Sequence, residues 1–153
     1  QFDKIPFRGV GAYVTGVLTT AFTYKLPHFS IEIDEQHKIE TEAFAVLITS
    51  TGQLGYNVEF TKNSILNDGK FEITIVKNFD RTKVPYLIYE AFFGDIASQE
   101  MVETHQVNKI LKIRTNKIES IQMDGDYKGK TNYIEVSCKK QALNYLVDKD
   151  FKL

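Results

Sequence analysis

Two short acidic turns are where residue type and spacing in this chain could do chemistry. One lies in Ile65-Leu66-Asn67-Asp68-Gly69-Lys70, the other in Met123-Asp124-Gly125-Asp126-Tyr127. An Asp-Gly pair is first a device for reversing a strand. The aspartate tolerates a positive φ and bonds its own backbone, and the glycine completes the turn. Taken singly, each pair favours that plain reading. Two details add a second one. Asp126 follows Gly125 directly, and Asn67 precedes Asp68, so both turns are rich in oxygen. Carboxylates and backbone carbonyls so placed suit a hard cation such as Mg²⁺.

Other chemistries have less to stand on. His28, His37 and His105 are far apart and lack metal-ligand spacing. There is no G-x-S-x-G elbow, no Walker loop and no G-x-G-x-x-G; Gly9 and Gly11 form only a G-x-G at a helix start. The net charge is −1 and basic residues are mixed with acids, which argues against a nucleic-acid face. Cys138 is the single cysteine, so no internal disulfide can form. Its setting beside an alternating run reads as a small buried side chain in a reducing, cytoplasmic background.

The elements that must position these turns are mostly strands. The chain has 153 residues, 42% hydrophobic and 25% charged, which suits one folded domain spanning 1–153. Its longest purely apolar run, Ala43 to Ile48, is too short to cross a bilayer and fits a buried strand. No signal peptide opens the chain; it begins at Gln1, and we expect a piece of a longer or processed protein.

A first helix is predicted over 9–24, where Val10, Tyr13, Val14, Val17, Leu18, Ala21 and Phe22 recur at helical spacing and Pro27 supplies the stop. Its apolar stripe could pack on another domain, or bury itself in a homodimer. A second helix is predicted at about 84–93: Val84, Leu87, Ile88, Ala91 and Phe92 share a face, with Pro85 in the first turn and Gly94 as C-cap. Strands are predicted at 29–33, at 39–50, over the alternation Leu54, Tyr56, Val58 and Phe60, at 70–76, at 107–115, at 117–123, at 132–138 and over the closing Gln141-Ala142-Leu143-Asn144-Tyr145-Leu146-Val147. The sum is a mainly β chain, an antiparallel β-sandwich with two main helices.

Read in order, these features resemble the C-terminal domain of the diacylglycerol kinase catalytic family, which includes bacterial lipid kinases and sphingosine kinases. The likeness runs from Gly9-Val10-Gly11-Ala12-Tyr13, through Ala43 to Asn57, to the Asp68-Gly69 stretch, to Asp124-Gly125-Asp126 and the closing strands, covering 9 to about 148. The resemblance implies a two-domain, ATP-dependent lipid kinase whose nucleotide-binding N-terminal domain lies outside this chain. It implies that Asp68 associates with Mg²⁺, with Ile65 and Lys70 contributing backbone carbonyls. Asp124 and Gly125 match the family's late Asp-Gly, Asp126 falls on its general-base glutamate, and the resemblance makes Asp126 and Asp124 the catalytic candidates. Partners would be a lipid substrate, the N-terminal domain and, transiently, the inner membrane surface of the cytoplasm. This chain alone would be inactive.

The sequence departs from the pattern in places. Asp126 is one methylene shorter than the family's glutamate, Thr61-Lys62-Asn63-Ser64 replaces a proline stretch, and Ser50-Thr51-Gly52 replaces an Asn-Gly. A non-catalytic lipid- or protein-binding module, or an apolar-ligand carrier, are the alternative readings. For the kinase reading, the two acidic tips are expected to converge on one rim of the sandwich.

Overall fold

A computed structural model describes residues 10–55, 58–60, 64–65, 68–140 and 142. The strands are β1 (His28–Ile33), β2 (His37–Thr49), β3 (Gln53–Gly55), β4 (Val58–Glu59), β5 (Phe71–Lys77), β6 (Val102–Val107), β7 (Ile110–Met123) and β8 (Asp126–Ser137). The helices are α1 (Val10–Ala21) and α2 (Val84–Phe93). Six strands form one antiparallel sheet in the order β6-β5-β2-β1-β7-β8, and β3 and β4 form a separate small hairpin.

The sheet curls on itself because β2 serves two neighbours in turn. Its first half pairs with β1, from Ile33↔His37 to His28↔Glu42. Its second half pairs with β5, from Ala43↔Lys77 to Thr49↔Glu72. The changeover is a bulge at Phe44, between Ala43 and Ala45. A bulge bends a strand and increases its twist. The bend lets the two halves of the sheet face each other over one core. That core joins Phe29, Ile31 and Ile33 of β1 and Leu111 and Ile113 of β7 to Phe71, Ile73 and Ile75 of β5 and Val107 of β6. The fold is thus the mainly β, sandwich-like arrangement expected. A second cluster, Leu87, Ile96 and Met101, seats α2.

Several expectations are corrected. Helix α1 stops at Ala21, not at 24. Two nitrogens of the Arg81 guanidinium donate to the carbonyls of Ala21 and Tyr24, satisfying helix-end acceptors before Pro27 is reached. Phe22, predicted on the buried stripe, lies past the helix end and is exposed. The strand predicted over 54–60 is instead the β3–β4 hairpin, closed by the Phe60 amide on the Gly52 carbonyl at 3.0 Å. The two strands predicted at 107–115 and 117–123 are one long β7, and the start of the first is the last residue of β6 and the turn after it. Strand β6 itself was not expected. Cys138 is exposed rather than buried, just past the end of β8. The predicted strand at 141–147 lies outside the described residues, apart from Ala142, which is in no strand. Helix α2 matches its predicted bounds, with Val84 and Leu87 buried.

One carboxylate ties the two halves together. Asp34, at φ 53 in the β1–β2 turn, accepts from the amides of Asn108 at 2.9 Å, Lys109 at 2.7 Å and Ile110 at 3.1 Å, and from the Asn108 side chain at 2.9 Å. Burial alone would raise its pKa; the four donors outweigh that and lower it to about 2. A lowered carboxylate pKa contributes stability above the unfolded value of 3.8, and the contribution is lost as pH falls through about 2. Asp34→Asn keeps the left-handed backbone tolerable but turns one acceptor into a donor facing amides. It should destabilise the fold by about 1–2 kcal/mol at pH 7, allowing for solvent screening. Urea midpoints should show the deficit shrinking toward pH 2; an equal deficit at both pH values would contradict this account.

Candidate functional site

The late acidic turn is the tip of a long hairpin. Met123 pairs with Asp126, leaving Asp124 at φ 49 and Gly125 at φ 90 as the two loop residues. Positive φ at both central positions is the type I′ turn, whose twist suits a hairpin. Asp124 is therefore a turn former by geometry. Asp126 is the first strand residue after it. Its side chain is 79% exposed, with one oxygen 3.3 Å from the Lys128 ammonium. Directly behind it the ladder slips. Ile121 faces Gly129 and Gln122 faces Tyr127, so Lys128 is an extra residue, and Gly129 takes φ 108. That bulge re-aims the side chains next to the tip.

The hairpin projects from the sheet. Pairing of β7 with β1 ends at Thr115, eight residues before Met123. Between Arg114↔Tyr133 and Glu119↔Thr131, four β7 residues, 115–118, oppose the single Asn132. Within this break Ile118 is exposed, and beyond it so are Met123 and Tyr127.

The early acidic turn is elsewhere. Asp68 accepts from the Lys70 amide at 2.8 Å, a bond of an aspartate to its own backbone, and Gly69 has φ 78. The Lys70 ammonium donates to the Gln106 amide oxygen at 3.0 Å on β6. Ile65 is exposed and Asp68 half-buried; Asn67 lies outside the described residues. Close by, Glu72 is buried, and the Ser64 hydroxyl donates to it at 2.7 Å. Among the described residues, no group of three or more His, Cys, Asp or Glu could hold a metal ion. A cation at Asp68 would therefore depend on one carboxylate, carbonyls and water. The donor set fits Mg²⁺ in kind, since all are hard oxygens and one Asp68 oxygen stands outside the turn bond.

The two turns do not converge. A Cβ on Gly69 would lie 2.9 Å from the Lys140 side chain, which places the Asp68 turn beside the chain leaving the C-terminal end of β8. Asp126 opens that same strand, and 12 residues at about 3.3 Å each put its ends roughly 36 Å apart. The expectation of a shared rim is overturned, and with it the reading in which a metal at Asp68 and a base at Asp126 act at one centre. The sandwich brings the start of β5 to the Asp34 end of the sheet, whereas the hairpin runs away from that end.

The sequence reading also missed what the curl brings together. His37 and His105, in different strands, have ring centroids 5.4 Å apart, and the Glu103 carboxylate accepts from His105 at 2.6 Å and from the Lys77 ammonium. Ile33↔His37 and Ile73↔His105 put both residues on the core side of their strands, His105 half-buried and His37 exposed at the rim. Inward-pointing polar residues on an edge strand guard it against further pairing.

Comparison with known proteins decides the family. The model of the YegS C-terminal NAD kinase beta sandwich-like domain matches residues 3–147. The chain belongs to this family. No curated protein sequence matches the domain. Among solved structures, two of a protein provisionally assigned as a diacylglycerol kinase of Bacillus anthracis strain Sterne superpose with TM-scores of 0.65 and 0.63 at 20% and 21% identity. Each match covers 86% of this chain and 42% of that one. A third, a diacylglycerol kinase structure from the same strain, gives 0.56 at 18% identity over 81% and 44%. At such identity the likeness is one of fold. The YegS-type domain thus spans less than half the length of the structures it matches.

The separation of the turns can be measured directly. With Cys138→Ser as background, spin labels at Lys70→Cys and Lys128→Cys should give a distance distribution centred beyond about 25 Å, given the rise along β8. A centre under about 15 Å would restore a common site.

Proposed function

We propose that the domain is the acceptor-side half of an ATP-dependent lipid kinase. It would present Asp126 as general base to a lipid hydroxyl, while a companion domain outside this chain carries the nucleotide. The observation that supports this reading best is the projecting arm. The position where the family resemblance puts the base is the tip of a hairpin that extends beyond the sheet, built by a type I′ turn and a bulge. That is a geometry for reaching into a partner rather than for closing the domain's own core.

The chemistry asked of it is small. The acceptor oxygen attacks the γ-phosphorus of ATP, its proton passes to the Asp126 carboxylate, the bond to the bridging oxygen breaks, and ADP leaves. Asp124 shapes the tip that delivers Asp126. The remote Asp68 turn has a separate part. Asp68, with the Ile65 and Lys70 carbonyls, would hold Mg²⁺. Bound there, the ion would supply positive charge at the Asp34 end of the domain and brace the turn. Its distance from Asp126 keeps it out of the proton transfer.

A non-catalytic lipid- or protein-binding module is the second reading, favoured by the exposed aromatic face of α2, where Tyr86, Tyr89 and Phe93 stand 49%, 57% and 80% exposed. Removing the base separates the two. In the full-length protein, Asp126→Asn should lower lipid phosphorylation by about 10²–10⁴-fold with the melting temperature unchanged, and Asp126→Glu should retain turnover. Unaltered turnover in Asp126→Asn would take Asp126 out of the mechanism. For the cation, Mg²⁺ should raise the melting temperature of the wild-type domain and not that of Asp68→Asn. Equal shifts in both would remove Asp68 as a ligand.

A further inference from the structure

The break at 115–118 is where the arm leaves the sheet, and it is not loose. The arm root is fastened at two points to the segment joining α1 to β1 and at a third to the first residue of β1. The Tyr24 hydroxyl donates to Glu119 at 3.1 Å. The Lys117 ammonium donates to the carbonyls of Lys25 at 2.9 Å and Leu26 at 3.3 Å. The Asn116 side-chain oxygen accepts from the His28 amide at 3.0 Å. Within the break, the Thr115 hydroxyl closes on the Lys117 carbonyl at 2.6 Å.

That joining segment is itself anchored. Arg81 holds the Ala21 and Tyr24 carbonyls, and Pro27 is fully buried. The Tyr24 ring meets Phe44 edge-on at 5.9 Å, and Phe44 meets Phe79 at 5.7 Å. Phe44 is the bulge residue at which β2 bends, and Phe79 packs on the α2 cluster. Tyr24 thus touches the arm, the sheet bend and the Arg81 loop at once. Burial, then the Glu119 charge and hydrogen bond, push its pKa up to about 12, so its hydroxyl stays a donor.

We infer that Tyr24, Lys117 and Glu119 form a latch at the arm root that sets the angle at which the hairpin presents Asp126. They are positioning residues, and the inference rests on the reading of Asp126 given above. The lever is long. Asp126 pairs with Met123, which lies about 13 Å along the strand from Glu119, so a swing of roughly 5° at the root moves the tip by about 1 Å. Misplacing a catalytic group by that much costs on the order of a hundredfold. The β1–β7 ladder has ended at Thr115, so beyond it β7 pairs with β8 alone, and the ties to the α1–β1 side are these side-chain bonds.

The test uses the full-length protein carrying Tyr24→Phe with Lys117→Met. Tyr24→Phe keeps the ring for Phe44, so the fold is retained. The double variant should lose about 10- to 100-fold in kcat toward a diacylglycerol hydroxyl, with KM for ATP unchanged within about twofold. Amide hydrogen exchange over 119–131 should accelerate about tenfold or more, while the β1 amides 29–33 keep their protection. Glu119→Gln, whose amide oxygen still accepts from Tyr24, should behave as wild type. Wild-type exchange in the outer arm of the double variant would overturn the latch, and so would accelerated exchange with kcat intact. If the wild-type protein phosphorylates no lipid, the reading of Asp126 falls, and the latch stands or falls on the arm's exchange alone.

Discussion

The fold depends on one strand being able to serve two halves of a sheet. Strand β2 gives its first residues to β1 and its last to β5, and the bulge at Phe44 is the hinge between these duties. Without the bend, Phe71, Ile73 and Ile75 would have no apolar layer to face. With it, they meet Phe29, Ile31, Ile33, Leu111 and Ile113, and the core closes. At roughly 25 cal/mol per Å² of apolar surface, covering these side chains is the main gain that offsets ordering the chain. The Asp34 carboxylate then fixes the free ends, joining the β1–β2 turn to the β6–β7 turn with four hydrogen bonds.

The same bend explains why the acidic turns part company. Strand β5 pairs with the far half of β2, so its start is carried over to the end of the sheet where β1 finishes and β7 begins. Asp68 goes with it. Strand β7 begins at that end and travels away, and Asp126 lies beyond its last residue. Sequence order and turn chemistry cannot reveal this. Both turns carry the same Asp-Gly chemistry ahead of a strand, and only the pairing partners tell which end of the sheet each occupies.

Much of the architecture was nevertheless legible. Helix α2 could be read to the residue because Pro85, Gly94 and the apolar spacing agree. The hairpin at Asp124-Gly125 follows from turn chemistry alone. Strand β6 was hidden because its inward-facing positions are Glu103 and His105 as well as Val107, so the alternation is not apolar. The end of α1 was hidden because Arg81, 60 residues away, satisfies the Ala21 carbonyl. The single long β7 was hidden because Asn116 and Lys117 look like a turn, and only their bonds to the 25–28 segment show them to be a break within one strand. What local rules miss is, in each case, a long-range polar contact that redefines a local signal.

Those long-range contacts also divide labour within the candidate site. An exposed carboxylate at a hairpin tip does little by itself, since water competes for every proton it could take. It becomes useful when another surface covers it and when its placement is reproducible. The first requirement falls to whatever the arm reaches toward. The second is met within this chain, by tying the arm root to the same segment that ends α1 and sits against the bend of β2. The end of α1, the bend of β2 and the arm root therefore meet at one residue, Tyr24. The hydrogen bonds that run from the Ala21 carbonyl through Arg81 and Tyr24 to Glu119 join the end of α1 to the root of the arm.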